Sequence, residues 1–367
     1  MAEVDGQREA VTTAAMPARV REAKRVLIIR PSALGDVCRS VPLAVSVKRA
    51  LPGARVDWLV QDSFADAVRA HPCVDGVVSF PRARLEDFHT PRGALRLLRF
   101  VRSLRRAAYD VVIDAQGLFR SGFFMLASGA PVRVGYANAQ EGASWACTHR
   151  AHAPMDRHAV ERMLSLVACI GVEPVRDLRL TAPTGAFESV SRSLGLSNEA
   201  YVVIAPTSRW AAKLWPDDRF AAVTESLLSS GLIARAVIVG AGSERAQCPG
   251  VLSLSQRDSR VIDAMGKTSV AQLMALIEHS QMVIANDSAA LHMAVGFNRP
   301  TVALYGPTEI KKVGPYKREH EVIQHLRPGD TLSHKDPARV EMMARICVDE
   351  VVQKATRALN EAAQRPA

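Results

Sequence analysis

No stretch of this chain approaches the roughly 18–20 uninterrupted apolar residues that cross a bilayer. Its longest apolar runs, such as Val202–Pro206 and Ala236–Gly240, have the length of buried strands. Cysteine is sparse: Cys38, Cys73, Cys147, Cys169, Cys248 and Cys347 are scattered, with no Cys-x-x-Cys pair. That excludes a disulfide scaffold or a zinc ribbon and fits a reducing cytoplasm. Gly-x-Gly-x-x-Gly is missing, which counts against a nicotinamide dehydrogenase. No Asp-x-Asp or paired-carboxylate loop occurs, and Asp217-Asp218 reads as a helix cap after Pro216, so no catalytic metal is expected. Aromatic residues make up 5% of the chain, and no motif of regularly interleaved basic and aromatic residues offers nucleic acid a stacking platform.

What is present is an ordinary globular composition, with 48% hydrophobic and 23% charged residues and a mean hydropathy of +0.02. The 367 residues suit two domains. Lys plus Arg number 47 against 37 Asp plus Glu, a formal net charge of +10. Such an excess fits nucleic acid, an anionic membrane surface or a phosphorylated substrate, and charge alone does not choose among them.

Regular patterning starts at Arg25. The all-apolar run Val26–Ile29 and the stretches Val56–Val60, Val74–Phe80 and Val111–Asp114 read as strands, with helical stretches between them, the first from Gly35 to Ala50. A helix from Arg157 to Gly171 is followed by a linker marked by Pro174, Pro183 and Gly185. A second series brings strands Tyr201–Ala205, Ala236–Gly240, Met282–Ala285 and Thr301–Tyr305, with helices Asp217–Ser230 and Ser269–His279 and a third from Ser288. A final amphipathic segment, Pro337–Ala363, reads as one long helix. The expected division is a flexible tail over 1–24, without a secretory signal, and Rossmann-like halves over 25–182 and 183–336. Residues 337–367 then form the closing helix. Alternating strands and helices imply an α/β fold with parallel sheets and a cleft at the carboxyl ends of the strands.

Three motifs lie at that cleft, and a fourth is a basic stretch of the first half. Arg30-Pro31-Ser32-Ala33-Leu34-Gly35-Asp36 joins the first strand to the first helix, with Gly35 permitting a tight turn. Asp36 there either satisfies free amides at the helix start or acts as a general base on a sugar hydroxyl. Asn286-Asp287-Ser288-Ala289-Ala290-Leu291-His292 opens a helix whose small residues let amides approach a diphosphate; an N-cap is the plainer reading of Asp287-Ser288. His292 either faces the site or sits packed. Thr207 and Ser208 offer hydroxyls at the matching strand end, and Lys213 offers a point charge for a phosphate oxygen or for solvent. The arginines from Arg82 to Arg106, Arg96 and Arg99 among them, form either a solvated helix face or a landing surface for an anionic acceptor or leaflet.

Six segments, taken in order, resemble glycosyltransferase family 9, the ADP-heptose:lipopolysaccharide heptosyltransferases. They are Val26–Asp36, Tyr109–Leu118, His158-Ala159-Val160-Glu161-Arg162, Lys213-Leu214-Trp215-Pro216, Asn286–His292 and Tyr305-Gly306-Pro307-Thr308. The resemblance implies the GT-B fold, with a C-terminal helix crossing back to the first half. It also implies inverting, metal-independent transfer from ADP-heptose, which serves as donor substrate with no cofactor. Carried over by position, Asp36 is the catalytic base, Thr207, Ser208 and Lys213 are diphosphate contacts, and Asp287, Ser288, Ala289 and Ala290 form the donor-phosphate loop with His292 nearby. Glu244 falls near the nucleoside ribose, and Gln116 and Arg120 face the acceptor. Ala289 departs from a pattern that often has Gly, and its methyl narrows the approach of backbone to phosphate. The segments match best the branch that adds heptose to the Kdo sugar of the lipopolysaccharide inner core. The partners implied are a phosphorylated lipid-linked glycan and the inner face of the inner membrane, met peripherally from the cytoplasm, and not nucleic acid. A nucleotide-sugar epimerase of the same architecture and a basic anion-binding module without catalysis are the rival readings.

Overall fold

The computed structural model describes residues 15–80, 89–196 and 199–364. Arg82, Arg84, Glu86 and Asp87 of the arginine-rich stretch lie outside the described residues. Short apolar runs buried on both faces favour parallel strands covered by helices, and the chain builds two such sheets. The first contains β1 (Arg25–Ile29), β2 (Arg55–Gln61), β3 (Gly76–Phe80), β4 (Val111–Asp114), β5 (Val132–Tyr136) and β6 (His149–Ala151). The second contains β7 (Tyr201–Ala205), β8 (Arg235–Ile238), β9 (Val261–Asp263), β10 (Met282–Asn286), β11 (Thr301–Leu304) and β12 (Val322–Ile323). The strand orders are β3-β2-β1-β4-β5-β6 and β9-β8-β7-β10-β11-β12, the same winding twice, with all pairs parallel. Each order reverses direction between its two central strands, β1 beside β4 and β7 beside β10. Loops after those strands splay apart there and leave room for a ligand.

One buried apolar cluster runs through both halves, from Val26 and Ile28 to Val203 and Val283. A second covers the outer face of β7 and β10, and a third, with Phe80 and Phe124, lies under the Pro91–Arg106 helix.

Several expectations need correction. The first helix is two, Leu34–Arg39 and Val41–Ala50, broken at Ser40. The Ser40 hydroxyl donates to the Asp36 carbonyl at 2.6 Å, and Pro42 in the next turn has no amide to continue the ladder. Gly35 lies inside the first of these and makes no tight turn; its absent side chain admits the second half, as described below. The closing segment is likewise a 3-10 turn at Pro337–Val340, a short helix Glu341–Ala344 and a longer one Val348–Ala363. The last does not cross to the first sheet. Its buried Val351, Ala355 and Leu359 join Phe220, Val223 and Leu227 of the Asp217–Ser229 helix, because its apolar stripe is matched there. The bridge to the first half is made instead by residues 313–316. Arg39 donates to the Val313 carbonyl at 3.3 Å, His158 Nε2 meets the Gly314 carbonyl at 3.0 Å, and Tyr316 bonds Glu161. Part of the expected tail is folded too, since Ala18–Arg21 is a helical turn with Val20 fully buried.

Candidate active site

At the switch point of the first sheet the loops after β1 and β4 wall a cavity of about 270 Å3. Asp36 sits on this wall in the first turn of the Leu34–Arg39 helix. Arg30, just past β1, reaches its Oδ2 at 2.6 Å, and Arg39, one turn along the same helix, pairs with Oδ1. Burial works against ionisation of Asp36, but the charges of Arg30 and Arg39 outweigh it and hold the carboxyl well below the usual carboxylate range. Asp36 is therefore an anion throughout the neutral range.

The opposite wall is the turn after β4. Asp114 folds back beneath it: its carboxylate accepts from the Gln116 and Gly117 amides at 2.9 and 3.1 Å and from the Ser121 hydroxyl at 2.8 Å. Gly117 adopts a φ of +71°, and a Cβ there would lie 3.0 Å from the Tyr136 ring, so only glycine suits both the turn and the packing. Burial pushes the Asp114 carboxyl up to about 6 in spite of those hydrogen bonds. Arg162, from the Ala159–Ala168 helix, closes the cavity with its guanidinium 5.7 Å from the Tyr136 ring centroid.

The second switch point gathers the loops after β7 and β10. Lys213 and Asp287 form a buried ion pair at 2.5 Å, and the Tyr305 hydroxyl donates to the other Asp287 oxygen at 3.4 Å. Asn286 ties the two loops together, donating to the Pro206 carbonyl at 2.6 Å and accepting from the Trp215 amide at 3.3 Å. Thr207 donates to Glu244 at 2.7 Å, and the Ser208 amide donates to Gln247 at 3.2 Å. Ser288 holds the N-cap position of the Ala289–Gly296 helix, yet its side chain makes no capping bond and its hydroxyl is buried without a partner. The capping role read from Asp287-Ser288 is thus not observed, because the Asp287 carboxylate is taken by Lys213.

The two halves touch at Gly35. A Cβ on it would lie 2.9 Å from His292 Cδ2 and 3.3 Å from Ala289 Cα. The helix carrying Asp36 therefore abuts the start of the helix carrying Ala289, Ala290 and His292. His292 is buried there, and burial, followed by the charge of Arg39, lowers its pKa to about 3, so its ring is neutral at pH 7.

Thr207, Ser208, Lys213, Glu244 and the Asp287–Ala290 turn are brought together, and Asp36 and Gln116 share the first cavity. Arg120 is not among the residues lining that cavity; it is exposed, and its guanidinium lies 5.7 Å from the Phe80 ring centroid. Arg96 and Arg99 stand apart on the Pro91–Arg106 helix, Arg99 beside a shallow groove with Arg102 and Arg106. Sequence reading missed Arg30, Arg39 and Arg162 as site residues. Each had a signal: Arg30 ends the first strand at the cleft, Arg39 follows Asp36 by one turn, and Arg162 closes the His-Ala-Val-Glu-Arg segment. Among the described residues no group of three His, Cys, Asp or Glu side chains is placed to hold a metal ion.

This geometry agrees with what the chain is similar to. The family model described as glycosyltransferase family 9 (heptosyltransferase) matches residues 97–340. Lipopolysaccharide heptosyltransferase 1 of Pseudomonas aeruginosa is 29% identical over 301 residues, 80% of this chain and 82% of that protein. The solved structure of Escherichia coli ADP-heptose lipopolysaccharide heptosyltransferase II superposes with a TM-score of 0.76 at 20% identity, covering 92% of this chain and 99% of that one. The E. coli heptosyltransferase WaaC with ADP-2-deoxy-2-fluoro heptose gives 0.69 at 23%, covering 91% and 99%. With the GT-B arrangement of two parallel six-stranded sheets and a family match over most of its length, this chain is a glycosyltransferase and belongs to glycosyltransferase family 9.

Proposed function

We propose that this protein transfers heptose from ADP-heptose to a Kdo-bearing acceptor of the lipopolysaccharide inner core, with inversion at the anomeric carbon and Asp36 as general base. The observation that carries this reading is the apposition at Gly35. It sets an ionised carboxylate, on the wall of the first-half cavity, against the start of the second-half helix beside Lys213 and Asp287. In this reading the cavity takes the acceptor, while the loops after β7 and β10, with Glu244 toward the ribose, take the ADP-sugar.

The acceptor hydroxyl attacks the anomeric carbon from the face opposite the diphosphate, its oxygen bonding to carbon as the bond to the diphosphate oxygen breaks. Asp36 takes the hydroxyl proton. Its two guanidinium partners lower its proton affinity, which suits a late proton transfer, once the new bond has made that proton acidic. The departing diphosphate gains negative charge beside Lys213 and the free amides of Ala289 and Ala290, so cationic and backbone groups neutralise it and the reading requires no metal. His292, neutral, packs against the helix that carries Asp36 and adds no opposing charge.

No helix of the described residues is long and apolar enough to cross a membrane. The Pro91–Arg106 helix carries Arg92, Arg96, Arg99, Arg102, Arg105 and Arg106 with no acidic residue, and Leu95 and Leu98 are exposed on it. That combination favours peripheral contact with an anionic leaflet on the side of the acceptor cavity. The direct test is a screen of ADP- and UDP-sugars against a deacylated inner-core acceptor, with the product linkage read by NMR. Transfer from ADP-heptose with inverted linkage is expected. Transfer from another donor only, or turnover without acceptor, refutes the reading.

A further inference from the structure

The two oxygens of Asp36 are held from different parts of the molecule. Arg30, on Oδ2 at 2.6 Å, places its other terminal nitrogen on the Ala115 carbonyl and so belongs wholly to the first half. Arg39, on Oδ1, reaches the other way. Its Nη1 donates to the carbonyl of Val313, in the second half, at 3.3 Å. Arg39 is buried and its Nε has no partner, so among the described residues the Asp36 carboxylate and the Val313 carbonyl alone orient its guanidinium by hydrogen bonds.

The Val313 carbonyl is itself held in place. It ends the short helix Ile310–Val313, and the residues after it are pinned to the first half as a strap. His158 Nε2 donates to the Gly314 carbonyl at 3.0 Å while its Nδ1 accepts from the Val160 amide at 3.2 Å, a pairing that suits a neutral ring with its proton on Nε2. The Tyr316 hydroxyl donates to Glu161, whose carboxylate Arg176 grips at 2.8 and 2.9 Å. The His158 and Tyr316 ring centroids lie 5.0 Å apart, so the strap packs against its seat as well as bonding to it. A Cβ on Gly314 would meet Ile310 at 2.6 Å, and glycine lets the strap turn tightly off its own helix.

These contacts form one line from Glu161 through residues 313–316 and Arg39 to Asp36. A guanidinium fixed at two points of its planar fork loses the freedom of its long stem and passes that order to the carboxylate it holds. With the strap lifted, Arg39 keeps its charge beside Asp36 but loses the second point that sets its plane.

We propose that Arg39 is a positioning residue that couples the seating of residues 313–316 on the first half to the aim of the Asp36 carboxylate. The inference rests on the reading of Asp36 as the general base. Arg39 touches no reacting atom, and the proton still goes to Asp36. The base is then aimed only while the two halves are docked, so the second half completes the site of the first.

The test is a double-mutant cycle between strap and guanidinium on the full chain. Tyr316→Phe removes the hydroxyl that seats the strap and leaves the loops of both switch points as they are. It should lower kcat for heptose transfer roughly 3- to 10-fold, the scale of one hydrogen bond, with KM for ADP-heptose changed less than about 2-fold. Arg39→Lys keeps the charge beside Asp36, but an ammonium lacks the fork that spans both partners, and kcat should fall on the order of 10-fold. In the Arg39→Lys background Tyr316→Phe should cost nothing further. Hydrogen exchange of the Leu34–Arg39 helix reads the same link without turnover. Tyr316→Phe should speed that exchange in the wild-type chain and leave it unchanged in Arg39→Lys. Calorimetric ADP binding shows that each variant is folded, and Arg39→Gln replaces Arg39→Lys in the cycle if the latter is not. Losses in kcat that multiply, a Tyr316→Phe effect confined to KM, or exchange that ignores Tyr316 each overturn the proposal. A chain that transfers no heptose yet shows the coupled exchange refutes the reaction and not the link. One whose Asp36→Asn variant loses transfer while rate and exchange ignore Tyr316 refutes only the link.

Discussion

Replacing Gly35 with alanine sets two effects of opposite sign against each other. Gly35 lies within the Leu34–Arg39 helix, where alanine gains up to about 1 kcal/mol of helix propensity. The added methyl would stand 2.9 Å from His292 Cδ2 and 3.3 Å from Ala289 Cα, inside the roughly 3.5–4.0 Å at which carbon atoms settle. His292 is buried and the Ala289 contact is backbone, so neither yields cheaply. Overpacking of this kind costs about 1–3 kcal/mol, which outweighs the propensity gain and leaves a net loss of about 1 kcal/mol. For a chain of this size that is a fall in Tm of about 2 °C. The effect on rate is larger. Relief of the clash must move the helix of Asp36 away from the helix of Ala289 by several tenths of an ångström, along the line between base and donor. A displacement of about 1 Å can cost on the order of 100-fold, so kcat should fall on the order of 10-fold. Steady-state heptose transfer, with calorimetric ADP binding as control, measures this. An alanine variant with unchanged kcat and a raised Tm would refute the close apposition.

Lys213→Ala leaves Asp287 buried without its cation, and stability should drop by about 3 kcal/mol in a urea melt. Adding Asp287→Asn should recover part of that loss while ADP affinity stays weakened in both variants. Asp114 contributes one part of the pH dependence, opposed by His292, whose lowered pKa favours the folded chain as pH rises. The folded pKa of Asp114, about 6, lies above the reference 3.8, so its contribution is fully present below the lower value and is lost as pH rises through the upper one. At roughly 1.4 kcal/mol per unit the loss is about 3 kcal/mol. Asp114→Asn keeps the acceptor for the Gln116 and Gly117 amides, and should gain stability over wild type as the pH of a thermal melt is raised from about 4 to 7. Arg96→Glu with Arg99→Glu should reduce use of a lipid-linked acceptor in anionic vesicles on the order of 10-fold through lost surface attraction, with ADP binding unaltered. Equal losses in both would return those arginines to solubility alone.

The central strands were legible because they are buried on both faces: Val26–Ile29, Val111–Ile113, Tyr201–Ala205 and Met282–Ala285 are uninterrupted apolar runs that no surface helix would carry. Edge strands such as His149–Ala151 and Val322–Ile323 were not, since two or three residues are too few to show a period. The break at Ser40 was hidden because Val37, Val41 and Ala44 keep a helical spacing across it; only the serine hydroxyl and Pro42 end the ladder. Asp36 and the Asp287–Ala290 turn stood out because they sit at the starts of helices that closely follow strong strands. The arginine cluster did not. Arg30, Arg39 and Arg162 come from three elements, and only the winding of the first sheet brings 30 and 162 to one cavity. Gly35 carried a signal that was read for the wrong reason: glycine was needed for closeness to the other half, not for a turn.

The most direct measurement is the rate of heptose transfer from ADP-heptose by Asp36→Asn beside wild type, with ADP affinity measured on the same samples. Asparagine keeps the shape of the side chain but cannot take the hydroxyl proton. Transfer should fall by about 100-fold or more, within the range a positioned general base supplies, while ADP binds as before. An Asp36→Asn protein that turns over at a near-normal rate would contradict the account.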